Sequence, residues 1–179
     1  MKRYADDYET IIETDERGRE KKVAVYRGRY FEIDSEEKEI KNFRRSSLIL
    51  IIAIIILHVA GGFVDNSGMY AFYVALPYVL IYLPLYLMIA GGLRLPWERR
   101  KLRRDEIGLS FERIRKSNRF SLILLGVVLL GEIVFLIWFA GEGGFQEIVF
   151  MGIELLALIG AYFLYRMQKS MQEKIGIEE

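Results

Sequence analysis

Long apolar runs alternate with stretches dense in charge along this chain. Four runs stand out, Ser47–Val64, Met69–Ala90, Phe120–Ala140 and Phe145–Tyr165. The first has 18 residues and the others 21 or 22, against the roughly 20 that carry an α-helix across a hydrocarbon core. None contains a Lys or Arg. Short polar connections, "VDNSG" and "GEGG", join the first run to the second and the third to the fourth. The pattern therefore predicts an all-α polytopic membrane protein, with four transmembrane helices arranged as two hairpins, 47–90 and 120–165.

A different period governs residues 1–46. There "YETIIET", "KKVAVY" and "RYFEI" are β-rich, and the turn-forming segments "DERGRE" and Arg27-Gly28 separate them. This predicts a small three-stranded β meander on the cytoplasmic side. A sheet so small buries little area, so it must lean on the membrane face, the central loop or a partner. "DSEEKEIKNFRR" reads as a helical lead-in to the first span, capped by Asp34 or Ser35 and anchored at the headgroups by Arg44 and Arg45. In the central segment, 91–119, Pro96 ends the second helix. Trp97 suits a membrane interface, and a helix from about Arg104 should run on into the third span. Residues 166–179 form a short tail.

Charge adds an orientation to this outline. The net charge is only +1, but the 25 Lys and Arg residues are sorted: 12 before residue 46, 10 between Arg94 and Arg119, and 3 after Tyr165. Positive residues are retained on the cytoplasmic side, which puts both termini and the central loop there and leaves two short acidic turns outside. A multi-pass protein of a plasma membrane, bacterial by its compact size, is the expectation. The loop residues Arg99, Arg100, Lys101, Arg103 and Arg104 are candidates for anionic lipid headgroups. No stacking array or module spacing accompanies the charge, so nucleic acid is not an expected partner.

Candidate chemistry is sparse. The chain has no cysteine and one histidine, which excludes disulfides, thiolate metal sites and thiol catalysis. HExxH and Gly-rich phosphate loops are absent, so neither an enzyme, a metal nor a cofactor is expected. What calls for explanation is acid inside the apolar runs. An ionised carboxylate near mid-membrane costs at least about 2.5–3.5 kcal/mol, yet Glu132 and Glu154 lie well inside the third and fourth runs. Each is eleven residues from Gly143, at the centre of their hairpin. A rise of about 1.5 Å per residue puts both roughly 12 Å below the outer end. His58 lies at similar depth on the first helix. Glu147 shares a face with Glu154, Ala157 and Ala161, and with Glu142 at the hairpin mouth the three acids could form a file leading inward. Glu147 also sits in a first helical turn, where an acid suits the dipole.

For Glu132, Glu154 and His58 two roles compete: hydrogen-bonded links between helices, or a proton or cation site. Pro77 and Pro84, seven apart in the second run, predict a kinked or broken helix with Tyr78, Tyr82 and Tyr86 on another face. Two functions follow. One is a non-catalytic membrane subunit or regulator that docks a partner through its β segment and basic loop. The other is a small oligomeric transporter coupled to protons or cations through paired carboxylates. A second protein or further copies of this chain would be the partner, alongside membrane lipid.

Overall fold

The structure, a computed structural model, describes residues 2–14, 20–139 and 144–177. In chain order come β1 (Tyr8–Thr14), β2 (Glu20–Tyr26), β3 (Tyr30–Ile33), α1 (Glu37–Gly61), α2 (Phe72–Leu80), α3 (Tyr82–Gly92), β4 (Lys101–Arg103), α4 (Arg104–Leu109), α5 (Phe111–Trp138), α6 (Phe145–Gln172) and β5 (Ile175–Ile177). Four helical stretches are long and apolar enough to cross a membrane: α1, α2 with α3, α4 with α5, and α6.

Packing closes these helices into a ring. The helix α1 packs on α6, α6 on α5, α5 on α2 and α3, and α3 back on α1. Apolar residues occupy both sides of the ring. Ile51, Ile54, Val74, Ile81, Met88, Leu125, Val128, Phe150 and Leu164 are buried inside, while Ile56, Ile123, Leu130, Ile137, Ile148 and Phe163 are exposed outside. Helices apolar all round suit a lipid surround. With no hydrophobic drive between helices in lipid, close approach depends on small residues. On α6, Ala157 and Ala161 are fully buried, and a Cβ at Gly160 would come within 3.2 Å of Ile54 Cγ1 on α1.

The second span is interrupted at one position. Pro84 has no N–H to offer the Leu80 carbonyl, and its ring crowds that oxygen. The helix pauses at Ile81, which keeps helical dihedrals and donates to the Pro77 and Tyr78 carbonyls, each at 3.2 Å. Pro77 lies within α2, so the break falls between the two prolines. The third span is also divided. Ser110 (φ −112°, ψ −87°) separates α4 from α5, and its Oγ donates to the Glu106 carbonyl at 2.5 Å.

At the end of the bundle that holds the β strands, the expected meander does not form. β1 and β2 pair antiparallel from Tyr8↔Tyr26 to Thr14↔Glu20 as a two-stranded ribbon; most of the expected "DERGRE" turn lies outside the described residues. β3 instead centres a second sheet, in the order β4–β3–β5. Its registers include Phe31↔Leu102 on one side and Ile33↔Ile175 on the other. The reason is burial. Ile33 and Leu102 join a core with Phe43, Leu95 and Phe111, which a strand added to the ribbon, where Ile12 is 62% exposed, would not reach.

Side chains then tie this end together. Arg44 is an internal staple rather than a headgroup anchor: it is buried, it donates to the carbonyls of Leu95 (2.5 Å) and Leu93 (3.4 Å) beyond α3, and it lies 4.0 Å over the Trp97 ring. α1 starts after Glu36 without a side-chain cap. Asp34 and Ser35 bind the tail instead: the Asp34 N–H donates to the Lys174 carbonyl at 2.8 Å, and Lys174 reaches both Ser35 and Glu39. The ribbon rests on α4 through two tyrosines. Tyr8 donates to Asp105 Oδ2 at 2.8 Å, and the Arg104 N–H donates to Tyr26 Oη at 3.1 Å. Burial, reinforced by the bond to Asp105, raises the Tyr8 phenol above its ordinary value, so it remains a donor at neutral pH.

Burial differences of this kind are measurable. Ile33→Ala should destabilise the protein in detergent by about 2–5 kcal/mol, the usual effect of emptying a buried aliphatic site. Ile12→Ala should stay within about 0.5 kcal/mol. Equal losses in thermal or denaturant unfolding would mean that β3 is not anchored in the core as described.

Candidate functional site

The buried acidic residues of the bundle, Glu154, Glu147 and Glu132, occupy three settings. In the first, His58 on α1 meets Glu154 on α6. Nδ1 lies 3.0 Å from Oε2 and 3.1 Å from Oε1, and both residues are fully buried. On the other side of the ring, Nε2 lies 3.2 Å from the Tyr78 carbonyl. A carbonyl only accepts, so Nε2 carries a proton. One further proton then lies between Nδ1 and the carboxyl group. The pair is either imidazolium with carboxylate or imidazole with carboxylic acid, and in both forms its net charge is zero. This neutrality is what makes an acid at that depth tolerable.

Tyr78 completes the network by donating from its hydroxyl to the His58 carbonyl at 2.6 Å. Its ring and that of Tyr82 lie 4.2 and 5.0 Å from the imidazole. Tyr86, the third tyrosine of the series, is exposed. Gly61 makes room for the pair, since a Cβ there would come within 2.6 Å of Glu154 Oε1. The network thus joins α1, α2 and α6 at one level.

Glu147 forms the second setting, at the start of α6. Its Oε2 accepts from the Gly144 N–H at 2.6 Å and its Oε1 from the Ser67 N–H at 3.3 Å. The side chain caps its own helix and ties it to the turn after α1. Glu142 lies outside the described residues, so the expected acidic file is represented only by Glu147 and Glu154.

Glu132 forms the third. It is fully buried on α5, and neither carboxyl oxygen has a hydrogen-bond partner among the described residues. It faces the turn after α1: a Cβ at Gly68 would collide with its carboxyl group. Asn66 is buried beside it, using Oδ1 to accept from the Gly68 N–H at 2.8 Å, while its Nδ2 faces the Glu132 carboxyl group beyond ordinary hydrogen-bond geometry. Glu132 and Glu154 therefore belong to different environments. One is paired with His58 across the bundle; the other faces a glycine backbone and the Asn66 amide, with no opposite charge beside it among the described residues.

Asn66, Gly61 and Gly68 are the contributors that residue type and spacing did not single out. A legible signal did exist in the Gly61-Gly62 pair and in the Asn of "VDNSG". Among the described residues, no three His, Cys, Asp or Glu side chains gather to hold a metal ion. Of the loop cations, Arg103 is engaged with Asp105 and Glu106 at 3.6 and 3.4 Å, and Arg104 lies 3.9 Å from Asp7. Lys101 lies over the Tyr30 ring, while Arg99 and Arg100 are exposed. No family model matches the chain, nor does any characterised protein or solved structure.

The neutral pair makes a quantitative demand. His58→Phe and Glu154→Leu should each destabilise the bundle, and a double-mutant cycle in detergent should return a coupling of about 1–2 kcal/mol. Glu154→Gln, which keeps a group able to hydrogen-bond Nδ1, should be the mildest change at that position. Additive single losses would show that the two side chains do not act as a unit.

Proposed function

We propose that this chain is a non-catalytic integral membrane subunit or regulator that docks a protein partner through the β1–β2 ribbon and the adjoining basic loop. The observation that carries this reading is the ribbon's two open edges. The Arg27 N–H donates to the Asp7 carbonyl at 2.8 Å, which makes 7 and 27 a hydrogen-bonded pair. The alternation of an antiparallel ladder then turns the N–H and C=O of Thr10, Ile12, Lys22 and Ala24 away from the partner strand. Such an edge is a template for an added strand. Tyr8 and Tyr26 hold the base of the ribbon to α4 and β4, so it is offered as a fixed element. The sorting of Lys and Arg supports placing this end in the cytoplasm.

Native mass spectrometry of the complex, purified from its own membranes in mild detergent, tests the reading. A second protein should accompany the chain in fixed ratio. Ile12→Pro removes an outward donor and leaves the β1–β2 bonds intact. It should release that protein without lowering the melting temperature. A homo-oligomer of the same mass in both forms would sink the docking role.

A second reading is favoured by one observation, the buried Glu132 carboxyl group, which meets no opposite charge among the described residues. It makes the chain a small proton- or cation-coupled transporter in which Glu132 is the coupling group and His58–Glu154 the fixed link. In proteoliposomes, Glu132→Gln should then abolish pH-dependent flux and leave the fold intact. Unchanged flux in that variant excludes Glu132 as the coupling group.

A further inference from the structure

We infer that the cleft between α5 and α6, at the end bearing the β strands, is a binding site for the phosphodiester headgroup of an anionic phospholipid. The cleft encloses about 300 Å³ and is lined by Arg115 and Arg119 of α5 with Tyr165, Lys169 and Gln172 of α6 and the adjacent Glu173. Spacing brings the cations together. Arg115 and Arg119 are four residues apart on one helix face, as are Tyr165 and Lys169 on the other. Three cations face one carboxylate, that of the exposed Glu173.

The cations are held in position without being neutralised. Arg115 donates to Gln172 Oε1 at 2.5 Å, and its Nε is buried with no partner. Arg119 lies 5.6 Å over the Tyr165 ring, an arrangement that orients a guanidinium and leaves its N–H fork free. No described carboxylate lies within 4 Å of Arg115, Arg119 or Lys169. A fork and an ammonium converging on one cleft suit the oxygens of a phosphate group. This differs from the basic loop, where Arg103 and Arg104 already face internal acids.

Position along the helices identifies the source of the phosphate. Arg119 immediately precedes the third apolar run and Tyr165 ends the fourth, so the cleft lies where apolar surface gives way to charge. Directly beyond it Phe120, Ile123, Tyr162 and Phe163 are 46–63% exposed, an apolar wall along which acyl chains can lie. A basic pocket between spanning helices at headgroup depth is a recurrent lipid site. The inference is independent of what the ribbon docks.

The test uses the intact protein, stripped of lipid in a neutral detergent and titrated with phosphatidylglycerol, phosphatidylcholine or inorganic phosphate, with native mass spectrometry as the readout. One phosphatidylglycerol per chain should bind in clear preference to phosphatidylcholine. The double variant Arg119→Gln/Lys169→Gln, with an unchanged melting temperature in detergent, should weaken it about thirtyfold, the effect expected for two cations at the headgroup level. Arg99→Gln/Arg100→Gln should leave that affinity in place. Equal binding by wild type and the cleft variant overturns the site, as does loss of binding in the loop variant. Inorganic phosphate that matches phosphatidylglycerol would overturn the lipid as its source.

Discussion

The proton shared between His58 Nδ1 and the Glu154 carboxyl group, 3.0–3.1 Å apart, is the contact on which the arrangement of this bundle turns. Neither partner could be left alone at that depth, because an unpaired buried charge is far more costly than a neutral pair. Satisfying both requires α1 to lie against α6, which closes the ring between the first and last helices. The consequence appears at the opposite end of the molecule. β3 immediately precedes α1, β4 follows α3, and β5 follows α6. The sheet order β4–β3–β5 thus repeats the helix order α3–α1–α6. A three-stranded sheet drawn from three distant segments follows from which helices are neighbours.

Four helices long and apolar enough to cross a membrane were legible in the chain, because hydrocarbon thickness imposes a length and a length can be read one residue at a time. The presence of Glu132, Glu154 and His58 inside those helices was legible in the same way. Which of them touch was not. Contact depends on the rotation of each helix about its axis, and that is set by the burial of Ala157 and Ala161 and the approach of Gly160 to Ile54 of α1 as much as by the polar residues themselves. The β meander failed on similar grounds. Strands of three or four residues carry too little pattern to reveal their partners, and the decisive term, burial of Ile33 with Leu102, is visible only once the helices have brought β3 and β4 together.

Glycine is what allows acid into the apolar level of the bundle. A carboxyl group occupies the space where a side chain would stand at Gly61, and another occupies that space at Gly68. Gly61 ends α1 and Gly68 lies in the turn between α1 and α2, and each serves a different acid. At Gly61 the space admits a carboxyl group that is already paired. At Gly68 it admits one whose neighbours, a glycine backbone and an asparagine amide, contribute no opposite charge. Equal distance in sequence from the hairpin centre therefore does not imply equal chemistry, since the partner across the helix face decides it.

A similar distinction applies to the cations. The rule that orients a membrane protein counts every Lys and Arg near a span alike, but this chain uses them in at least three ways. Arg44 satisfies carbonyls beyond α3 and stacks on Trp97. Arg103 and Arg104 face acids close to the ribbon they support. Arg115, Arg119 and Lys169 converge on a cleft with no described carboxylate within ion-pair distance. The first two groups turn donors toward carbonyls or acids of the fold, whereas the third turns them toward a shared space. Uncompensated donors at the boundary of an apolar wall favour an anion that brings its own apolar tail, and the bilayer supplies such a ligand at the highest local concentration.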